Sequence, residues 1–168
     1  MRPVEGTYPA FLETYISKAK EDTILKALEV NTTQLNHFLK LIPEDKADYA
    51  YAPGKWTIKQ LIIHISDAER IFSYRALRFA RGDEQQPLPF EEDDYANNSN
   101  ADRRSLNSVI EELLAIRKAT TLLFESFDET TLKRTGNTSK GKVTVNAIGY
   151  AICGHAAHHV AVGKERYL

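Results

Sequence analysis

The stretch GHAAHHVAVGKERYL, Gly154 to Leu168, decides how this chain is read. It closes a segment that begins at Thr144 and carries Val145, Ile148, Ile152, His155, His159 and Val162 at alternating steps of three and four. That period is the buried stripe of an α-helix packed in a bundle. Two of the six stripe positions are histidine. A buried imidazole needs a partner, because an unpaired polar group taken out of water costs on the order of a few kcal/mol. His155 and His159 stand four residues apart, so both rings leave one face of the helix about one turn apart. A divalent metal ion would engage both nitrogens at once; hydrogen bonds within the core are the other way to satisfy them.

Size and composition admit either answer. The 168 residues, 42% hydrophobic and 27% charged, suit one globular domain over 1–168 with a substantial core. A net charge of −1, from 22 basic and 23 acidic side chains, excludes an electrostatic nucleic-acid binder. No apolar run approaches the ~18 residues needed to span a bilayer, which argues against a membrane partner. The N-terminus lacks the apolar core of a secretory signal, and the expected location is cytoplasmic. The single cysteine, Cys153, excludes an intramolecular disulfide and a thiolate-only zinc site.

Outward from the terminal helix, the pattern predicts three more long helices in an all-α four-helix bundle. Residues 1–22 read as an arm or short helix, with Pro9 at its start and Phe11, Leu12, Tyr15 and Ile16 as docking groups. The first long helix runs from Asp22 to about Ile42, its inner stripe being Leu28, Asn31, Leu35, Phe38 and Ile42, with Asn31 half-exposed or bonded to a neighbour. The second starts at Thr57, where Thr57 and Gln60 form a capping-box pair and Trp56 stands in the staple position. It ends near Ala80, before Gly82. Between Gly82 and Arg104 lies a long acidic connection, in which the run Glu91 to Asp94 reads as a solvated loop rather than a cation site. The third helix spans about Ser105 to Phe127, with Leu106, Val109, Leu113, Ile116, Thr120, Leu123 and Phe127 inward. Residues 128–143 form a loop with room for a small hairpin, and Thr144 caps the last helix.

Adjacent antiparallel helices need only ~2–8 residues between them, so the long connection predicts a crossover that leaves the second and third helices parallel. The order is then up-down-down-up, with the second and fourth helices antiparallel. His64 points inward from the second helix at a depth of ~10 Å, and His159 lies ~13 Å from the chain's end at 1.5 Å per residue. Three histidines therefore fall at one level. Three neutral imidazoles bind zinc or nickel and leave positions open, where a bound water acidifies or a substrate thiol is held as thiolate. His158, rotated off the stripe, is placed at the rim or behind the ligands. Gln60 is within reach of a ligand or bound water, and Asp67 of an imidazole it would orient. Asp67, Glu69, Arg70 and Arg75 otherwise read as a polar helix face, and His37 as a surface histidine.

The segment APGKWTIKQLIIHISDAERIFSYRALRFARG (Ala52 to Gly82), taken with the terminal HAAHH and ERYL, resembles the DinB-like superfamily, which also holds YfiT-type metalloenzymes. The resemblance extends over nearly the whole chain. It implies an up-down-down-up bundle, a homodimer, and a divalent metal on His64, His155 and His159. It also implies a small-molecule substrate, with either a bacillithiol-type low-molecular-weight thiol in an S-transferase reaction or water in a hydrolase reaction. The alternative is a non-catalytic metal-binding module of a stress response.

Overall fold

Each long helix begins at a hydroxyl-bearing residue. The side chains of Thr23, Thr57, Ser105 and Thr144 each accept a hydrogen bond from the backbone N–H three residues on, which satisfies one orphaned donor of the first turn. At Thr57 the box is complete, because the Gln60 carboxamide oxygen accepts from the Thr57 N–H in return. In the computed structural model, which describes residues 1–83 and 85–168, seven helices follow in order. They are α1 (Glu13–Ile16), α2 (Ile24–Lys40), α3 (Ile58–Ala80), α4 (Glu92–Asn97), α5 (Leu106–Glu125), α6 (Glu129–Lys133) and α7 (Val145–Arg166). A hairpin of β1 (Thr135–Thr138) and antiparallel β2 (Gly141–Thr144) precedes α7.

Helices α2, α3, α5 and α7 form an up-down-down-up bundle. At one end of α3 the Tyr167 hydroxyl donates to the Trp56 carbonyl at 2.7 Å, and at the other Arg134 donates to the Ala80 carbonyl, so α3 and α7 run antiparallel. Contacts between α3 and α5 advance together, from Lys59 with the Arg104 carbonyl, through Glu69 with Arg117, to Ser73 with Thr120. Those two helices are parallel, as the length of the crossover requires. Helix α2 runs with α7: Ile24 lies against Gly149, Asn31 against Cys153 and Phe38 against Gly163.

A polar layer divides the interior into two apolar clusters. Leu28, Phe79, Phe124 and Ile148 belong to one; Leu35, Ile62, Leu113 and Val160 belong to the other. Between them Arg117, 1% exposed, forks onto Glu69, 2% exposed, with Nε to Oε1 and Nη2 to Oε2 both at 2.8 Å. Arg117 Nη1 donates to Asn31 Oδ1 at 2.6 Å, and Asn31 Nδ2 donates to the Cys153 carbonyl at 3.0 Å. One layer thus ties all four long helices. Asn31 is buried and bonded to its neighbours, the second of the two states expected of it. Two expectations are corrected here: Glu69 is interior and not on a polar face, and the inner row of α5 turns through Arg117 and Phe124, leaving Ile116 and Leu123 at the margin.

The terminal helix is also buried on more than a stripe, with every residue from Ala147 to Ala156 enclosed. Its outer side is covered by the N-terminal segment. A Cβ at Gly154 would stand 1.9 Å from the Tyr15 carbonyl oxygen, so only glycine lets α1 approach this closely. Leu12 and Ile16 dock as expected, whereas Phe11 stays 46% exposed beneath the Lys140 ammonium. The crossover is not all loop. Glu92, Asp93 and Asp94 form the first turn of α4, where the positive end of the helix dipole favours acidic side chains. Trp56 Nε1 donates to Asp93 Oδ1 at 3.1 Å and Gln60 Nε2 to the Ala96 carbonyl at 3.2 Å, which fastens α4 over the start of α3.

Replacing Arg117 by leucine leaves Glu69 buried without its counter-charge. The expected loss is ~3–5 kcal/mol in urea unfolding, most of it regained in the Arg117→Leu/Glu69→Leu double variant. A single-variant loss below ~1 kcal/mol would show that water reaches the layer.

Candidate metal centre

Three imidazoles, those of His64 and His155 buried and that of His159 half-buried, meet where α3 and α7 cross. His64 comes from the second turn of α3, and His155 and His159 from successive turns of α7. The Nε2 atoms stand 3.0 Å apart for His64 and His155, and 3.1 Å apart for the other two pairs. Among the described residues these three are the group whose ligand atoms cluster closely enough to hold a metal, and no fourth His, Cys, Asp or Glu joins them.

The triangle is frustrated as a set of hydrogen bonds. Each Nε2 either carries a proton or presents a lone pair, so two of three must be in the same state. At least one contact is then N–H against N–H or lone pair against lone pair. Charging the rings offers no escape, because burial lowers His64 to about 4 and His159 to about 3 and holds His155 well below its ordinary value. All three are neutral at neutral pH. A cation resolves the conflict, since every ring can then present a lone pair. Three nitrogens each ~2.0–2.1 Å from one zinc-like ion lie about 2.9 Å apart at octahedral angles and about 3.3 Å apart at tetrahedral ones, and the observed separations fall between. His159 would then carry its proton on Nδ1, a buried atom with no partner among the described residues.

Aromatic side chains enclose the triangle. The Trp56 ring lies 4.6 Å from His64 and 6.5 Å from His159, Tyr15 meets His155 edge-on at 5.4 Å, and Phe72 stands 6.0 Å from His155. These three were not singled out as site residues from sequence. Trp56 read as a helix staple, and Tyr15 as a docking group of the arm. Both are also that, but their rings face the histidines.

The remaining candidates are more distant. His158 is half-buried, its ring 4.9 Å from His159 and 6.0 Å from Tyr15, which puts it behind the triangle. The Gln60 amide serves the α3 cap and α4, and Asp67 pairs with Arg70 at 3.3 Å in a separate recess beside Asp94 and Glu112. His37 is exposed. Cys153 is sealed in the core, where burial pushes its thiol up to about 12; it is no nucleophile.

Residues 27–162 match the family model of the DinB superfamily. The chain belongs to the DinB superfamily. A Bacillus subtilis member, YfiT, named provisionally as a metal-dependent hydrolase, is 22% identical over 150 residues, covering 87% of this chain and 83% of its own. A similarly named protein of Oceanobacillus iheyensis is 30% identical over 73 residues, 43% of this chain and 42% of that one. The YfiT structure, described as an unusual four-helix bundle, superposes with a TM-score of 0.69 at 19% identity, over 96% of this chain and 88% of that one. A mycothiol-dependent maleylpyruvate isomerase shares the fold at a TM-score of 0.69 and 13% identity, over 82% of this chain. The chain spans only 58% of that isomerase. This DinB member thus has the bundle of its relatives, and its three-histidine cluster suits the metal dependence in the YfiT name.

The depressed histidines set a pH signature for metal-free protein. In the unfolded chain each titrates near 6.5, while the folded chain stays neutral to about 4 or below. Below 6.5 the unfolded state therefore binds more protons, and stability falls with pH by up to ~1.4 kcal/mol per unit for each histidine. Thermal melts of metal-free protein should be flat above pH 6.5 and decline steadily toward pH 4. A His64→Leu/His155→Leu/His159→Leu variant should lack most of that decline; an equal decline in the variant would place its origin elsewhere.

Proposed function

We propose that this chain is a metal-dependent enzyme in which His64, His155 and His159 hold a divalent ion, zinc or nickel, on the open side of which a small molecule reacts. The observation that carries the reading is the triangle of three neutral imidazole nitrogens with no fourth protein ligand among the described residues, because structural zinc sites close their fourth position and catalytic ones leave it free. An ion so held supplies Lewis acidity, lowering the pKa of a coordinated water or thiol toward neutrality. The chain's own residues keep the imidazoles neutral by burial, and they shield the site with Trp56, Tyr15 and Phe72.

The reaction class we favour is transfer of a low-molecular-weight thiol, of the bacillithiol kind, to a small electrophile, with hydrolysis of a small substrate as the second reading. Thiol use is supported by the shared fold of a mycothiol-dependent isomerase, and hydrolysis by the names of the sequence relatives. Since Cys153 is inaccessible, a sulfur nucleophile has to come from a co-substrate.

Untagged protein should contain about one zinc or nickel per chain by mass spectrometry, and each of His64→Ala, His155→Ala and His159→Ala should lose it while remaining helical. Loaded wild type should then consume an activated electrophile in the presence of a thiol, and the metal-free form should not. Protein that takes up neither ion would overturn the metal reading. Metal uptake without turnover of thiol or ester substrates would leave a non-catalytic metal-binding module.

A further inference from the structure

A cavity of about 350 Å³ opens beside the triangle, between α1, α3, the hairpin and residues 87–92 of the crossover. Its volume is in the range of small-ligand sites. The cavity reaches the cluster through His155, and Phe72, Phe90, Val143 and Ile148 give it an apolar wall. Two cations line it, Arg75 on α3 and Lys140 at the hairpin turn.

Arg75 is the unusual member. It is half-buried, and burial lowers its pKa. Its Nη2 donates to the Leu88 carbonyl at 3.0 Å, but its Nε is buried and has no partner among the described residues. None of the ion pairs among those residues includes Arg75 or Lys140; the guanidinium lies over the Phe72 ring at 5.9 Å and the ammonium over Phe11 at 4.4 Å. A partly desolvated guanidinium with a free donor is unfavourable unless an acceptor arrives. The one carboxylate on the lining, Glu92, is exposed at the start of α4 and solvated. The same cavity therefore offers an apolar wall and an unsatisfied positive end.

We infer that this cavity recognises a small organic acid, its apolar body against Phe72, Phe90, Val143 and Ile148 and its carboxylate on Arg75, with Lys140 adding charge at the hairpin. The inference builds on the metal-dependent reading, for which it names the substrate class: an electrophile or ester that carries a carboxylate. Arg75 and Lys140 are recognition residues and take no part in the chemistry. A planar guanidinium fork matches a carboxylate and has no equivalent preference for the neutral amide of the same shape.

The test compares 3-phenylpropionate with 3-phenylpropionamide by calorimetric titration into full-length protein, metal-free and zinc-loaded. In both forms the acid should bind roughly tenfold or more tightly than the amide, as expected of a charge-assisted contact. Arg75→Gln should abolish that preference and leave amide binding unchanged. Lys140→Gln, at an exposed turn where folding is not at stake, should reduce it roughly threefold and make it less salt-sensitive. Equal binding of acid and amide, or a preference that survives both substitutions, would overturn the inference. So would acid binding that appears only with zinc and ignores Arg75, since the carboxylate would then simply be on the ion. A protein that binds no metal but keeps the Arg75-dependent preference would sink the metal reading alone.

Discussion

The Arg117 guanidinium, forked onto Glu69 in a layer that water does not reach, is the constraint on which the rest of this bundle depends. Apolar side chains can slide past one another by a turn at modest cost; a buried charge pair cannot, because a slipped register leaves both charges unpaired. Asn31 extends the constraint to α2 and, through the Cys153 carbonyl, to α7. The four long helices are therefore locked at one level. That level matters for the site, because Glu69 lies five residues after His64 and His155 two residues after Cys153. At 100° per residue, Glu69 and His64 leave α3 roughly 140° apart, so one faces α5 while the other faces α7. The layer holds the helices in register, and the histidines meet one turn away.

The two polar assemblies of the interior differ in how they are satisfied. In the Arg117 layer the guanidinium has acceptors in Glu69 and Asn31, and a deficit in charge on one side chain is met by the other. The histidine triangle has no such internal solution. Its rings are kept neutral by the same burial that denies them water, and three like groups cannot pair off. The fold thus holds one fully satisfied network and, beside it, a second that its own groups leave unsatisfied. The aromatic enclosure by Trp56, Tyr15 and Phe72 fits the same logic, since it strengthens any electrostatic interaction inside.

What could be read from the sequence was whatever rests on local chemistry and periodicity. The Thr57–Gln60 box and the hydroxyl cap at Thr144 announced their helices, because capping involves neighbours in the chain. The i,i+4 histidines on α7 and the depth of His64 on α3 brought three rings to one level, since helical rise is fixed. Buried charges were not legible. Glu69 and Arg117 have the spacing of an ordinary polar face, and nothing local distinguishes a guanidinium that pairs across the core from one that pairs in water. The acidic run at Glu92 to Asp94 shows the converse: a short helix that needs support from Trp56 and Gln60 looks like a loop when its partners are unknown. The N-terminal arm was seen, but its role turned on Gly154, which reads as a weak helix former until a second backbone lies against it.

That close approach makes the arm a wall of the site. With no Cβ at Gly154, α1 lies directly on α7, and Tyr15 is brought edge-on to both His155 and His158. The opposite wall is Trp56, placed by the cap of α3 and held by Asp93 of the crossover. Neither wall belongs to the helices that carry the histidines' inward stripe; each is a connecting segment drawn over the bundle. Connecting segments tolerate change in a way that a packed stripe does not. The bundle therefore separates two tasks: the helix seams fix three nitrogens, and the segments laid over them shape the space beside those nitrogens. The positions of the three nitrogens can thus be held constant on the seam while the arm, the crossover and the hairpin change the shape of the space beside them.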